Sequence, residues 1–312
     1  MTVTVFFAAG DALWPEFRDH LSAAFTEARL DVSLSNRAEN PETVDYIIYA
    51  PGGIITDFTP YTRCKMVQSL WAGVERYVSN PTLTQTLCRM VDTGLTEGMV
   101  EYVVGHTLRH HLGMDAHIHG QDGVWRNAVL PPIARERKVT ILGLGELGSA
   151  CARALAGLNF NVTGWSRTPK SVPGVACLAG PETLDTAVTG AEIVVLLLPR
   201  TAATENTLDR ARLALLAPGA AVINPGRGPL IDDDALLEAL DSGQVGHATL
   251  DVFRVEPLPP DHPYWAHPAV TVTPHIAADT RPVTAARVVA ENIRRGEAGE
   301  PFLHPVDRAL GY

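Results

Sequence analysis

The run Val139-Thr-Ile-Leu-Gly143-Leu-Gly145-Glu146-Leu147-Gly148 constrains this chain more than any other segment. An apolar, strand-like stretch stops at a glycine, and a helical pattern, Leu147–Leu158, follows at once. Gly143 permits the tight turn, Gly145 lets the backbone approach a diphosphate, and Gly148 lets the helix pack close to the strand. Glu146 and Leu147 open the helix, whose N-terminus offers N–H groups and the positive end of its dipole to phosphates. The segment predicts a dinucleotide site in a βαβ unit; the bland reading of the same residues is a tight turn with no ligand.

The end of the next strand separates the two common nicotinamide dinucleotides. An acid there accepts from a free ribose 2′-OH. Here the chain reads Trp165-Ser166-Arg167-Thr168-Pro169-Lys170, with no carboxylate. Arg167 can bond a 2′-phosphate, Ser166 and Thr168 can donate to it, and Lys170 adds charge. The pattern favours NADP(H) over NAD(H).

Strand-like runs alternate with helical ones along the chain. Val3–Phe7, Tyr46–Tyr49, Met66–Leu70 and the weaker Leu87–Val91 precede a long helical pattern, Thr96–His117. After the glycine turn, strand candidates are Asn161–Trp165, Ile193–Leu198, Ala220–Ile223, Ala248–Leu250 and Val270–Thr273. Helical patterns include Trp14–Ala28, Asp233–Leu240 and Pro282–Arg295. This rhythm predicts parallel sheets of the α/β class. A chain of 312 residues is long for a single core, so two domains are expected.

Charge narrows the partners. The chain carries 35 acidic and 25 basic residues, a net charge of −10, which lacks the footprint of a nucleic-acid binder. No apolar run approaches a membrane span, and the first residues lack a leader's basic start. Cys64, Cys88, Cys151 and Cys177 show no CxxC spacing, which fits reduced thiols and a cytoplasmic location. His106, His110, His111, His117 and His119 crowd the long helix, but no convincing third ligand accompanies them, and no metal is expected.

Three segments at the carboxyl ends of strands can act on one small anion: Asn224-Pro-Gly-Arg227, Asp251-Val-Phe-Arg-Val-Glu256-Pro and Thr273-Pro-His275. Ligands of open α/β sheets bind at that edge. Arg227 can hold a carboxylate and polarise a ketone. His275, with an ordinary pKa of roughly 6.5, can protonate the oxygen that a hydride transfer leaves negative. Glu256 beside it would favour the imidazolium. Taken singly, each residue is as well explained as a turn, capping or loop-tying residue.

The glycine turn, Asn224-x-x-Arg227-Gly, Asp251-Val-Phe-x-x-Glu256-Pro-Leu and Pro274-His275 together resemble the D-isomer-specific 2-hydroxyacid dehydrogenase family over essentially the whole chain. Trp165-Ser166-Arg167, Glu97-x-Met99-x-Glu101-Tyr102 and Thr273-Pro-His275-Ile-Ala-Ala278 resemble its glyoxylate/hydroxypyruvate reductase A subgroup. The resemblance implies Arg227 as substrate anchor, His275 as proton donor and Glu256 as its partner. It implies substrate contacts from Trp71, Ala72 and Gly73, and cofactor contacts from Leu198, Pro199, Arg200, Thr201, Thr204 and Asp251. Arg254 stands where many relatives carry an acid, and the direction it points is open.

The resemblance also implies two doubly wound parallel-sheet domains: a discontinuous flavodoxin-like substrate domain, 1–98 and 280–312, and an inserted NAD(P)-binding Rossmann domain, 99–279. The active site would lie in the cleft between them. A dimerisation arm at about 99–135 would make a homodimer. The implied reaction is NADPH-dependent reduction of small 2-oxo acids, glyoxylate to glycolate and hydroxypyruvate to D-glycerate. Two rivals stay open: a reductase of bulkier 2-oxo acids, with Tyr49, Trp71, Tyr264 and Trp265 as pocket aromatics, and a non-catalytic nucleotide-sensing module on the same fold.

Overall fold

The computed structural model describes residues 2–125, 127 and 130–312. Met1, at the start of the first strand-like run, and Arg126, Ala128 and Val129, in the expected arm, lie outside the described residues. The chain divides into two compact units, Met1–Leu95 with Asp279–Tyr312, and Thr96–Ala278.

In chain order the elements begin with β1 (Val3–Phe7), α1 (Trp14–Glu27), β2 (Val32–Ser35), β3 (Tyr46–Tyr49), β4 (Met66–Ser69) and β5 (Thr86–Cys88). Two helices follow, α2 (Thr93–His111) and α3 (Met114–His119). Then come β6 (Lys138–Leu142), α4 (Glu146–Gly157), β7 (Asn161–Ser166), β8 (Ala176–Ala179), α5 (Leu184–Val188), β9 (Ile193–Leu196) and α6 (Arg210–Leu215). The chain closes with β10 (Ala220–Asn224), α7 (Asp233–Asp241), β11 (Val245–Leu250), β12 (Val270–Val272) and α8 (Pro282–Ala298).

The first unit has a five-stranded sheet in the order β2-β1-β3-β4-β5, every pair parallel. This is the flavodoxin-like order. β3 and β4 are buried throughout; β3 accordingly reads Tyr-Ile-Ile-Tyr without alternation, while β4 ends in the buried polar pair Gln68 and Ser69. On one face Val5, Phe7, Tyr46 and Ile48 pack with Phe17 and Leu21 of α1 and with Ala286, Val289 and Ile293 of α8. The return of the chain as α8 therefore completes this core. On the other face Phe6, Ile47 and Val67 pack on Phe58, Tyr61 and Leu83, which come from loops rather than from a regular helix.

The second unit has a seven-stranded sheet in the order β12-β11-β10-β9-β6-β7-β8, again parallel throughout. The order reverses between β6 and β9, the topological switch point of a Rossmann sheet. Helix α4 covers one face beside Val103 of α2, around Val139, Ile141, Val195 and Ile223. Helices α5, α6 and α7 cover the other, around Leu142, Val194, Val222 and Leu250. Asp209 and Asp232 cap α6 and α7 by accepting from the Arg212 and Ala235 N–H groups.

Three expectations are corrected. The helical pattern Thr96–His117 is two helices, because Gly113 adopts a left-handed φ of +62° that ends α2 and starts α3. Strands β2 and β8 escaped the periodicity reading, since edge strands bury little and carry few large apolar residues. The strand expected at Leu87–Val91 is the shorter β5.

The glycine turn rests on backbone meeting backbone. A Cβ at Gly148 would lie 1.7 Å from the Gly143 carbonyl oxygen, whereas one at Gly145 would meet nothing within 4 Å. Alanine is favoured over glycine in a helix by about 1 kcal/mol, which cannot offset such an overlap. Gly148→Ala is therefore expected to lower the thermal midpoint by several degrees, and Gly145→Ala to leave it unchanged, as read by calorimetry.

Candidate active site

Four strand ends of the second unit meet at one edge because β9, β10, β11 and β12 are neighbours in the sheet. Beyond β10, Asn224 is 1% exposed and fixes the next turn: its Oδ1 accepts from Gly226 N at 3.1 Å and its Nδ2 donates to Arg227 O at 2.9 Å. Gly228 then passes so close to the Phe253–Arg254 backbone that a Cβ there would lie 2.0 Å from Phe253 C. The loops after β10 and β11 are thereby locked together. Arg227 stands half-buried between them, with its Nη1 donating to Gly226 O at 2.7 Å.

Asp251 follows β11 and is 1% exposed. Its Oδ1 accepts from Thr273 Oγ1 at 2.7 Å and Ile276 N at 2.9 Å, and its Oδ2 from Ala277 N at 3.0 Å. Its carbonyl accepts from His275 N at 2.8 Å. His275 itself adopts a left-handed φ of +57°, a conformation that histidine tolerates better than most residues. The result is an exposed imidazole on a fixed backbone.

Its Nδ1 lies 2.8 Å from Glu256 Oε2, and Glu256 Oε1 accepts from Phe253 N at 2.9 Å. A carboxylate only accepts, so Nδ1 carries the proton and Nε2 is left to face a ligand. The bond to Glu256 holds the imidazole above its ordinary pKa, aided by the Glu256 and Asp251 charges and opposed by burial and by Arg227. Burial would raise Glu256, but the bonds from His275 and Phe253 N and the nearby His275 and Arg227 charges hold it below the usual carboxylate range. Arg227, Glu256 and His275 thus form one electrostatic group.

The glycine turn lies at the same edge. Gly143 takes φ +111°, and a Cβ there would lie 2.6 Å from the Leu197 carbonyl. Helix α4 starts at Gly145 with no side-chain cap, so its first-turn N–H groups are left for an external acceptor. The open space over Gly145 and this uncapped end fit a diphosphate. At the end of β7, Arg167 and Lys170 are exposed, while Ser166 is buried and its hydroxyl donates to Thr168 O at 2.8 Å. After β9, Thr204 Oγ1 donates to Pro199 O at 2.6 Å and accepts from Thr201 N at 2.9 Å. Ser166 and Thr204 thus shape the loops that carry Arg167, Leu198 and Pro199.

In the first unit, Trp71, Ala72 and Gly73 follow β4 and are half-buried. Ser69 Oγ donates to Trp71 O at 2.8 Å and accepts from Trp71 N at 3.0 Å, and the Tyr77 hydroxyl donates to Ser69 Oγ in turn. Nothing in the spacing of the sequence singled out Tyr77.

Arg254, whose direction the sequence left open, turns toward the loop after β9 and the start of α7. It pairs with Glu205 at 3.3 Å and Asp233 at 3.4 Å, and it donates to Ile231 O at 2.5 Å and to Asn206 Oδ1. The histidines of α2 serve packing: His110 Nε2 bonds Thr249 Oγ1 at 2.9 Å, and His111 meets the Phe160 ring edge-on.

Residues 103–277 match the family model described as D-isomer specific 2-hydroxyacid dehydrogenase, NAD binding domain, and the chain belongs to that family. It is 41% identical over 259 residues to glyoxylate/hydroxypyruvate reductase A of Serratia proteamaculans (strain 568), covering 80% of this chain and 82% of the relative. Among solved structures, a D-isomer specific 2-hydroxyacid dehydrogenase from Xanthobacter autotrophicus Py2 in complex with NADPH and MES superposes with a TM-score of 0.92, at 40% identity and 100% coverage of both chains. An NADPH-dependent glyoxylate/hydroxypyruvate reductase from Sinorhizobium meliloti in complex with NADP and sulfate has a TM-score of 0.83, at 32% identity over 100% of this chain and 99% of the other. The two-sheet α/β architecture expected from the sequence is thus shared with these proteins.

Because Glu256 is what raises the imidazole pKa, Glu256→Gln is expected to bring the His275 pKa down to or below its ordinary value. Titration of the His275 ring signals by NMR checks this; an unchanged pKa would contradict the coupling described.

Proposed function

We propose that this protein reduces small 2-oxo acids with NADPH, acting on glyoxylate and hydroxypyruvate. The observation that carries this reading is the His275–Glu256 pair standing beside Arg227 at the sheet edge that also bears the uncapped glycine turn. The names of the similar proteins from Serratia and Sinorhizobium point the same way.

Gly143, Gly145, Glu146, Leu147 and Gly148 would hold the dinucleotide, with Leu198, Pro199 and Thr204 beside it. Arg167 and Lys170 take the 2′-phosphate beside Ser166, at a strand end without a competing carboxylate. When bound, NADPH supplies a hydride. Arg227 binds the substrate carboxylate with its planar fork and polarises the C2 ketone. The imidazolium of His275 holds its transferable proton at Nε2 and gives it to the C2 oxygen as that oxygen becomes negative. Glu256 keeps Nδ1 protonated throughout and stabilises the cation before transfer. Reduction therefore needs protonated His275, and its rate falls as pH rises through that raised pKa.

A steady-state panel of glyoxylate, hydroxypyruvate, pyruvate and phenylpyruvate, each with NADPH and NADH, tests the reading. NADPH oxidation is expected to be fastest with the two smallest hydroxylated or unsubstituted acids. Arg227→Ala and His275→Ala are each expected to lower kcat/KM by about a thousandfold, on the scale of a lost electrostatic or acid–base group. Arg167→Ala should raise KM for NADPH and leave that for NADH unchanged. Preference for phenylpyruvate would favour a wider pocket, and tight binding without turnover a sensing module.

Val124, Trp125, Leu130 and Ile133 leave large apolar side chains in solvent, Trp125 being 88% exposed. Such a run is covered in a homodimer, formed by the segment at about 99–135. Sedimentation should give twice the chain mass, and Trp125→Asp with Leu130→Asp should give the monomer. Free cysteines at Cys64, Cys88, Cys151 and Cys177, three of them buried, fit a reducing compartment such as the cytoplasm. No helix among the described residues is long and apolar enough to cross a membrane.

A further inference from the structure

Tyr102, on α2, reaches the loop that carries the proposed proton donor. Its hydroxyl lies 2.7 Å from Thr273 Oγ1, and Thr273 Oγ1 lies 2.7 Å from Asp251 Oδ1. The direction of this chain follows from proton counting. Asp251 only accepts, so the single Thr273 hydroxyl proton goes to it, and the proton between Tyr102 and Thr273 belongs to the tyrosine. Burial pushes the Tyr102 phenol well above its ordinary pKa, which keeps it a donor.

Thr273 sits two residues before His275, and its carbonyl accepts from His275 N at 3.0 Å. Asp251 holds the other side, through its carbonyl on His275 N and its carboxylate on Ile276 N and Ala277 N. The left-handed backbone at His275 is thus gripped from the residue before the turn and from the two residues after it. Among the described residues the Thr273 hydroxyl is the one side-chain donor in that grip, and Tyr102 aims it by occupying its acceptor side. Tyr102 is itself set by the His106 ring, 4.4 Å from its own centroid to centroid.

We propose that Tyr102 and Thr273 are positioning residues for His275: Tyr102 donates to Thr273, which donates to the buried Asp251 carboxylate, and this fixes the backbone turn that points the imidazole at the substrate ketone. The proposal rests on His275 being the proton donor, as argued above. Neither residue touches the reacting atoms, so loss of either should affect the chemical step more than cofactor binding. A hydrogen bond to a charged group is worth more than one between neutral hydroxyls. Thr273→Val should therefore lower kcat by about 10- to 100-fold and Tyr102→Phe by about fivefold.

The experiment compares Tyr102→Phe, Thr273→Val, Thr273→Ser and His275→Ala as full chains, with glyoxylate and NADPH across pH. Charged groups acting on His275 are Glu256, Asp251 and Arg227, and all are retained in the first three variants. With the turn loosened, the Glu256–His275 bond weakens, so the alkaline limb of the kcat profile should move to lower pH in Thr273→Val and, less, in Tyr102→Phe. KM for NADPH should hold, and Thr273→Ser should restore both kcat and the limb. A folded Thr273→Val with wild-type kcat and an unmoved limb overturns the proposal. If Thr273→Val does not fold, Tyr102→Phe decides: wild-type kcat and limb overturn it, and a reduced kcat with a shifted limb supports it. Full turnover by His275→Ala would instead remove the proton-donor assignment itself, a distinct result.

Discussion

A carboxylate that is almost completely buried has to be met by donors, or its desolvation would outweigh whatever packing surrounds it. Among the described residues Asp251 is met by three, one hydroxyl and two backbone N–H groups, all supplied by the segment after β12. The requirement works in both directions. It solvates the charge, and it obliges residues 273–277 to wrap around one point, with His275 at the outside of the wrap. The position of the imidazole follows from the need to satisfy a neighbour's charge. Glu256 then sets the protonation state, and Asn224 sets the Arg227 turn by the same use of a buried polar side chain to replace missing backbone partners.

Much of this was legible in the sequence because it depends on local chemistry. The glycine turn needs small residues at fixed intervals, and no other residue types fill Gly143 and Gly148 without overlap. Central strands β6, β9 and β10 stand out as apolar runs because both faces of the sheet are covered. Arg227, Glu256 and His275 follow strand ends, and parallel topology puts strand ends at one edge. The edge strands β2 and β8 did not stand out, since half their surface is wet and their residues need not be apolar.

The contacts that were not legible join residues far apart in the chain. Tyr102 and Thr273 are separated by 171 positions, and no periodicity relates a residue on α2 to one beyond β12. Tyr77 supports Ser69 under the Trp71 loop from only eight positions away, but across an irregular segment with no periodicity to reveal it. A direction of pointing is likewise absent from sequence, as with Ser166, whose hydroxyl bends onto Thr168 O. Residue type announces capability, and only the fold says toward which atom it is turned.

Arg254 carries this into the history of the chain. Its guanidinium is neutralised where it stands by Glu205 and Asp233 and by oxygens of Asn206 and Ile231. Positions 205, 233 and 254 come from three different loops or helix starts, yet they meet as one ion-pair cluster. Drift at any one of them would set a bare charge loose near the loop that bears Glu256. Among homologues that keep Arg at 254, acids at 205 and 233 should therefore persist together, and lineages with an acid at 254 should have relaxed both.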